Sequence, residues 1–192
     1  MDTNRERKDV VERYALTRSC GLVLQLGDIT RAEVDAIVNA ANEWMLGGGG
    51  VDGAIHAAAG PELVEACRRV PEARKGVRCP TGEARITPGF RLPARYVIHT
   101  AGPVYDSVAT SGPLLRACHL ACLWMANEQR LATIAFPAIS CGIYGYPLDE
   151  AAPIAIHACR EGAGSLREVR FVLFTGDAFD AWRLAADAIL SA

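Results

Sequence analysis

Val34-Asp-Ala-Ile-Val-Asn-Ala-Ala-Asn42, followed closely by Gly47-Gly-Gly-Gly-Val-Asp-Gly-Ala-Ile-His56, is the stretch on which the reading of this chain turns. Asp35–Asn39 is a short β-type run bounded by asparagines, and Val51–Ala59 reads as a helix. Between them stand the glycines 47–50, each of which disfavours folding by about 0.5–1 kcal/mol relative to alanine. Together they amount to a few kcal/mol, a large share of a domain stability of about 5–15 kcal/mol. A flexible linker is one explanation. The other is a backbone that must approach a ligand closely. A glycine-rich loop entering a helix N-terminus offers unpaired N–H groups and the positive end of the helix dipole to an anion. The run is neither a Walker loop, since no Gly-Lys-Ser/Thr follows, nor a G-x-G-x-x-G fingerprint.

The strand–helix alternation continues on both sides. Leu22–Leu26 is a strand ending at Gly27-Asp28, and Pro61–Val70 is a second helix restarted by Gly60-Pro61. Strands follow at Ala84–Thr87 and Tyr96–Thr100. A long helix runs from about Pro113 to Arg130, with Leu114, Leu115, Cys118, Cys122 and Met125 at helical spacing. Thr133–Phe136 is a strand cut off by Pro137, Leu148–Arg160 a helix, Val169–Phe174 a strand and Ala178–Leu190 a closing helix. Met1–Cys20 is charge-rich and reads as a helix or a frayed extension. Apolar strands alternating with helices predict a sheet covered on both faces, an α/β fold with three α/β/α layers. The expected organisation is an N-terminal extension over 1–19 and one domain over 20–192.

Composition narrows the function. The 192 residues are 51% apolar and 22% charged, which is an ordinary globular balance. Lys and Arg number 20 against 22 Asp and Glu, a net charge of −2. A chain that coats nucleic acid normally carries a basic excess, so general nucleic-acid binding is not expected. If a phosphorylated partner binds, backbone N–H groups should hold it. The seven cysteines show no C-x-x-C pair and no regular spacing. With a polar, charged N-terminus and no apolar run of membrane-spanning length, the expectation is a reduced cytoplasmic protein without a membrane role. A monomer is the default.

Unusual residues gather where strands end, the place where open α/β sheets bind ligands. Gly27-Asp28-Ile29-Thr30 follows the first strand, Asn39-Ala-Ala-Asn42 the second, and Ser140-Cys-Gly-Ile-Tyr-Gly-Tyr146 the strand ending at Phe136. Gly142-Ile143-Tyr144-Gly145 is a second glycine-bearing turn, able to close over the same anion; two such loops suggest a diphosphate. Asp52 and His56 share a helix face if their segment is helical. Asp52 then either satisfies free N–H groups at the helix start or accepts from a water or ribose hydroxyl, oriented by His56. Asn39 and Asn42 suit a sugar but cannot act as bases, and each is equally open to turn chemistry.

These motifs, with Tyr96-Val-Ile-His-Thr100 and Ala135-Phe-Pro-Ala-Ile-Ser-Cys-Gly-Ile-Tyr-Gly-Tyr-Pro147, closely resemble a macrodomain of the MacroD type over about residues 20–190. The resemblance implies an α/β/α sandwich around a mixed sheet and a cleft for ADP-ribose. It also implies hydrolysis of ADP-ribose esters, on acidic protein side chains or in O-acetyl-ADP-ribose, with ADP-ribosylated nucleic-acid ends as further substrates in some members. No cofactor and no metal are called for. Carried over by position, Asp28 accepts from the adenine amino group beside the Ile29 backbone, and Phe174 either stacks on adenine or is a core aromatic. Gly48, Gly49, Gly50 and Val51 on one side, and Ser140, Cys141, Gly142, Ile143 and Tyr144 on the other, hold the phosphates, with Tyr144 as a lid. Asn39, Asn42 and Asp52 surround the distal ribose.

Asn42, Asp52 and His56 are the expected catalytic set. Either Asp52 activates the water, or the ligand phosphate does so while Asp52 positions the ribose. The alternative function is an ADP-ribose reader without catalysis. Cys141 departs from the small residue or threonine common in relatives; it reads as inert packing or as a thiol of lowered pKa among N–H dipoles. The loop of Leu46 and glycines lacks the inserted Cys and His of zinc-bearing macrodomains. Cys118, His119 and Cys122 read as apolar packing, and His99 as a satisfied core histidine or one that supports a neighbouring site residue rather than a catalyst.

Overall fold

The computed structural model describes residues 10–191; the first nine residues of the expected extension lie outside the described residues. Seven strands form one sheet: β1 (Val11–Ala15), β2 (Gly21–Leu26), β3 (Ala36–Ala41), β4 (Ala84–Pro88), β5 (Tyr96–Ala101), β6 (Thr133–Phe136) and β7 (Glu168–Leu173). Their order is β1-β2-β7-β6-β3-β5-β4. The inner five run parallel, and the edge strands β1 and β4 are antiparallel to their neighbours. This is a mixed sheet.

Helices α1 (Gly50–Ala59), α2 (Pro61–Arg69), α3 (Val108–Glu128), α4 (Leu148–Gly162) and α5 (Gly176–Leu190) cover both faces. Alternation along the strands separates two cores. Val38, Ile98, Ile134, Phe136 and Phe171 pack with Leu115, Cys122, Ile156 and Trp182 from α3, α4 and α5. Their sequence neighbours Ile37, Val97, Ala135 and Val172 point the other way, onto Ile55, Ala59, Leu63 and Cys67 of α1 and α2.

Two expectations are corrected. Val11–Ala15 is neither helix nor frayed extension but a strand paired with β2, so the sheet begins inside the segment assigned to the extension. Its side chains are largely exposed, which removed the apolar signal. Helix α3 starts five residues before Pro113, capped by the Ser107 side chain accepting from the Thr110 N–H. Pro113 thus stands inside the helix, past its first turn, and lacks the N–H that would reach the Ala109 carbonyl.

Chain order positions the site. Strands β3 and β6 are parallel neighbours, yet β3 leads into α1 on one face while β6 leads into α4 on the other. The loops leaving their carboxyl ends therefore diverge and open a crevice, the topological switch point of an open α/β sheet.

Candidate functional site

That crevice is a cleft of ≈ 310 Å³ bounded by the loop after β3, the first turn of α1, Gly102 after β5 and the loop after β6. Ten of the expected residues line it: Asn42, Gly48, Gly49, Gly50, Val51, Asp52, Ser140, Gly142, Ile143 and Tyr144.

The first wall is the glycine run. Gly47 and Gly50 have φ of +92° and +59°, conformations in which L side chains are strained. A Cβ on Gly48 would lie 2.9 Å from Asp52 Oδ2 and 3.2 Å from Asn42 Nδ2. The run is thus a tight turn rather than a linker. Gly49 caps α1 without a side-chain bond, so no side chain of the cap covers the N–H groups of the first turn. Asn42 braces this turn: its Oδ1 accepts from the Met45 N–H at 3.0 Å and its Nδ2 donates to the Gly47 carbonyl at 3.0 Å. Both polar ends are therefore used in turn chemistry.

The second wall is the loop after β6. Ser140 has φ +65°, with its Oγ buried and without a hydrogen-bond partner. A Cβ on Gly102 would collide with that hydroxyl, which accounts for glycine there. The Tyr146 N–H donates to the Ser140 carbonyl, closing the loop, and the Tyr105 N–H donates to Tyr144 O. Ile143 is 84% exposed, and its Cδ1 would lie 3.4 Å from a Cβ at Gly49. The two glycine-bearing loops thus face each other at side-chain distance.

Asp52 lies in the first turn of α1 and is buried. Its Oδ1 accepts from Asn39 Nδ2 at 2.7 Å and lies 3.5 Å from His56 Nε2, while Oδ2 is buried without a partner. Burial pushes the carboxyl above the usual range, against the Asn39 hydrogen bond and the His56 charge that pull it down. Asn39 is fully buried beneath the cleft, between Asp52 and His99.

At the ends of β2 and β7 lies a separate surface. Asp28 is exposed; its Oδ1 accepts from the Thr30 N–H at 2.9 Å and from Thr30 Oγ1 at 2.7 Å, and its second oxygen takes part in neither bond. Ile29 is buried. Phe174 is 82% exposed, so it is not a core aromatic. Adjacent strands carry the two residues: Leu26 pairs with Leu173, and the Gly27 N–H donates to the Leu173 carbonyl.

Cys141 is half-buried, donates to the Ile139 carbonyl, and burial pushes its thiol up to about 12. The surroundings of the thiol thus raise its pKa rather than lower it, in line with inert packing. Cys118 donates to the Ala101 carbonyl, and His119 packs on Phe136 and Phe171, as apolar packing requires. Reading the sequence missed Trp44, Gly102 and Ala138, which also line the cleft. Trp44 is half exposed at its rim; its place beside the Asn-rich strand end was the available signal.

Comparison with known proteins places these features. The Macro domain family model matches residues 38–155. A macro domain-containing protein of Xanthomonas campestris pv. campestris is 60% identical over 136 residues, 70% of this chain and 76% of that protein. One from Vibrio parahaemolyticus is 50% identical over 159 residues, 83% of this chain and 93% of that one. The Oceanobacillus iheyensis macrodomain with ADP matches at a TM-score of 0.88 and 38% identity, covering 94% of this chain and 96% of that one. The Trypanosoma brucei macrodomain in complex with ADP-ribose matches at 0.78 and 41%, covering 86% and 68%. The chain belongs to the macro domain family, and its mixed sheet between helical layers is the macrodomain fold.

Proposed function

We propose that this macrodomain binds ADP-ribose and, as a member of the MacroD type, hydrolyses ADP-ribose esters on acidic protein side chains and in O-acetyl-ADP-ribose. Adenine lies against Phe174 with its amino group on Asp28 and the Ile29 backbone beside the ring. The diphosphate spans the two glycine-bearing loops, held by N–H groups of Gly48, Gly49, Gly50 and Val51 and of Ser140, Gly142, Ile143 and Tyr144, while the Cys141 N–H closes its own loop on the Ala138 carbonyl. This agrees with a cleft whose lining residues include no lysine or arginine. The distal ribose then reaches Asn42 and Asp52, with Tyr144 over it and Asn39 below.

The observation that carries the catalytic part is the unpartnered Asp52 Oδ2 beside the glycine turn. A buried carboxylate with one oxygen held by Asn39 and one free is arranged to orient a water and take its proton. A raised pKa makes it a stronger base near neutral pH. His56, 3.5 Å from the other oxygen, tunes it. In the reaction, water adds to the ester carbonyl, its proton passes to Asp52, and the ribose hydroxyl leaves with a proton returned.

Incubation with a protein mono-ADP-ribosylated on glutamate tests the reading. Release of ADP-ribose, lost in Asp52→Ala, is expected. Tight ADP-ribose binding with no release over hours would make the protein a reader. Full turnover by Asp52→Ala would transfer water activation to the ligand phosphate.

A further inference from the structure

Asp52 ends a chain of buried side chains that crosses three strands. Asn39 Nδ2, 2.7 Å from Asp52 Oδ1, is also 3.1 Å from His99 Nδ1. On the far side of the ring, His99 Nε2 lies 2.9 Å from Thr87 Oγ1, with Cys67 Sγ at 3.8 Å. Asn39, Asp52, Thr87 and His99 are all buried. The register brings them together: Asn39 of β3 stands opposite His99 of β5, and Thr87 of β4 is two residues from Arg85, which pairs with His99.

An amide nitrogen only donates, so His99 Nδ1 accepts and the ring proton sits on Nε2, donated to Thr87 Oγ1. That state fixes the Asn39 amide. Rotated by half a turn, Asn39 would set its own Oδ1 against both Asp52 Oδ1 and His99 Nδ1, three acceptors with no proton between them. A proton on Nδ1, in the doubly protonated ring or in the other neutral tautomer, would favour the rotated amide. Burial, with the nearby His56 charge, holds His99 down to about 3 and removes the first. The Asp52 carboxylate, which needs the amide donor at 2.7 Å, disfavours the second. His56 on α1, whose ring centre is 6.5 Å away, and Cys67 on α2 are the titratable groups facing the ring from the packed helices.

We propose that Thr87 and His99 form a positioning chain: acting through Asn39, they keep its amide a donor to Asp52 Oδ1 and so turn Asp52 Oδ2 to the glycine turn. Its effect on turnover rests on the ester-hydrolase reading; its hydrogen-bond state does not. Asp52 meets the ribose end of the ligand, whereas Asn39, His99 and Thr87, buried beneath it, act only through Asp52.

Two measurements on the full chain test this. Nitrogen-15 NMR of the histidine rings should show His99 with Nδ1 unprotonated and Nε2 protonated, unchanged from about pH 8 to about pH 5. A proton on Nδ1 in that range overturns the proposal. With glutamate-linked substrate, Thr87→Val should lower kcat about 10-fold with KM altered less than about twofold, because the reacting groups lose alignment rather than contact. Thr87→Ser, which restores the hydroxyl, should recover the wild-type kcat. His99→Phe should lower kcat further, about 10- to 100-fold. If that variant fails to fold, the threonine pair and the spectra decide. Wild-type kcat in Thr87→Val, or no recovery in Thr87→Ser, overturns the chain. A wild-type protein with no ester turnover defeats the functional reading alone, and the ring-nitrogen spectra then decide the chain.

Discussion

Asp52→Asn should make the protein more stable while removing its proposed activity. The Asp52 carboxylate is buried with one firm hydrogen bond, from Asn39, and one oxygen without a partner. A buried acceptor left unsatisfied costs about 1–3 kcal/mol, more when charged. Asparagine has the same shape and keeps an oxygen for the Asn39 amide. Its Nδ2 replaces the charged Oδ2 with a neutral group that is equally without a partner, so the gain is the difference between burying a charged and a neutral group. The expected gain at pH 7 is about 1–2 kcal/mol, or roughly 2–8 °C in Tm for a chain of this size. Its pH dependence has a definite sign. The folded-state pKa of Asp52 lies above its unfolded value, so the native state binds the proton more tightly. Wild-type stability relative to the variant is therefore fully present at low pH and falls as pH rises through the folded pKa. The gap between the two proteins should be narrow below the ordinary carboxylate range and widest at neutral pH. Urea unfolding of both proteins from pH 4 to 8 measures it, with ester turnover assayed alongside. A variant less stable than wild type at pH 7, or a gap that ignores pH, would refute the reasoning.

Other consequences are equally direct. Phe174→Ala should leave stability within about 0.5 kcal/mol, since the ring is 82% exposed. Calorimetry should show ADP-ribose binding weakened about 5- to 150-fold, from a stacking contribution of about 1–3 kcal/mol. Gly53→Ala would put a methyl group 2.7 Å from the Gly48 carbonyl oxygen and push the turn out of place. Loss of even one hydrogen bond to a charged phosphate, about 1.5–3 kcal/mol, should weaken ADP binding roughly 10- to 150-fold. Burial holds His119 down to about 4 from 6.5, so the unfolded chain takes up the proton first and stability is lost as pH falls through that window. His119→Leu should abolish about 3 kcal/mol of the loss seen in urea unfolding between pH 7 and pH 4.

How much of this was legible in the sequence follows from what each residue does locally. The inner strands announced themselves because alternate residues enter two different cores, as Ile37 and Val38 do. The glycine turn was legible because consecutive glycines are costly to keep, and Asp52 because it begins the helix that follows. Strand β1 was not, because Val11-Glu-Arg-Tyr-Ala15 is an exposed edge with no buried face; the Tyr14 hydroxyl donates to Asp187 at 2.8 Å, a contact far away in sequence. The start of α3 was misplaced because Pro113 resembles a first-turn proline when the Ser107 cap is not seen. Gly102 and Ala138 enter the cleft only through strand order, which no local pattern encodes, whereas Trp44 stands beside the Asn-rich end of β3. His99 was rightly read as buried and satisfied, but its link through Asn39 to Asp52 depends on the β3–β5 register.

The central claim is that main-chain amides on two facing loops hold a diphosphate and deliver the far ribose to Asp52. A crystal structure of the complex with ADP-ribose tests it most directly. The diphosphate oxygens should lie within hydrogen-bond distance of N–H groups from Gly48–Val51 and Ser140–Tyr144, with the distal ribose beside Asp52 Oδ2. A nucleotide bound elsewhere, or one whose ribose points away from Asp52, would contradict the account.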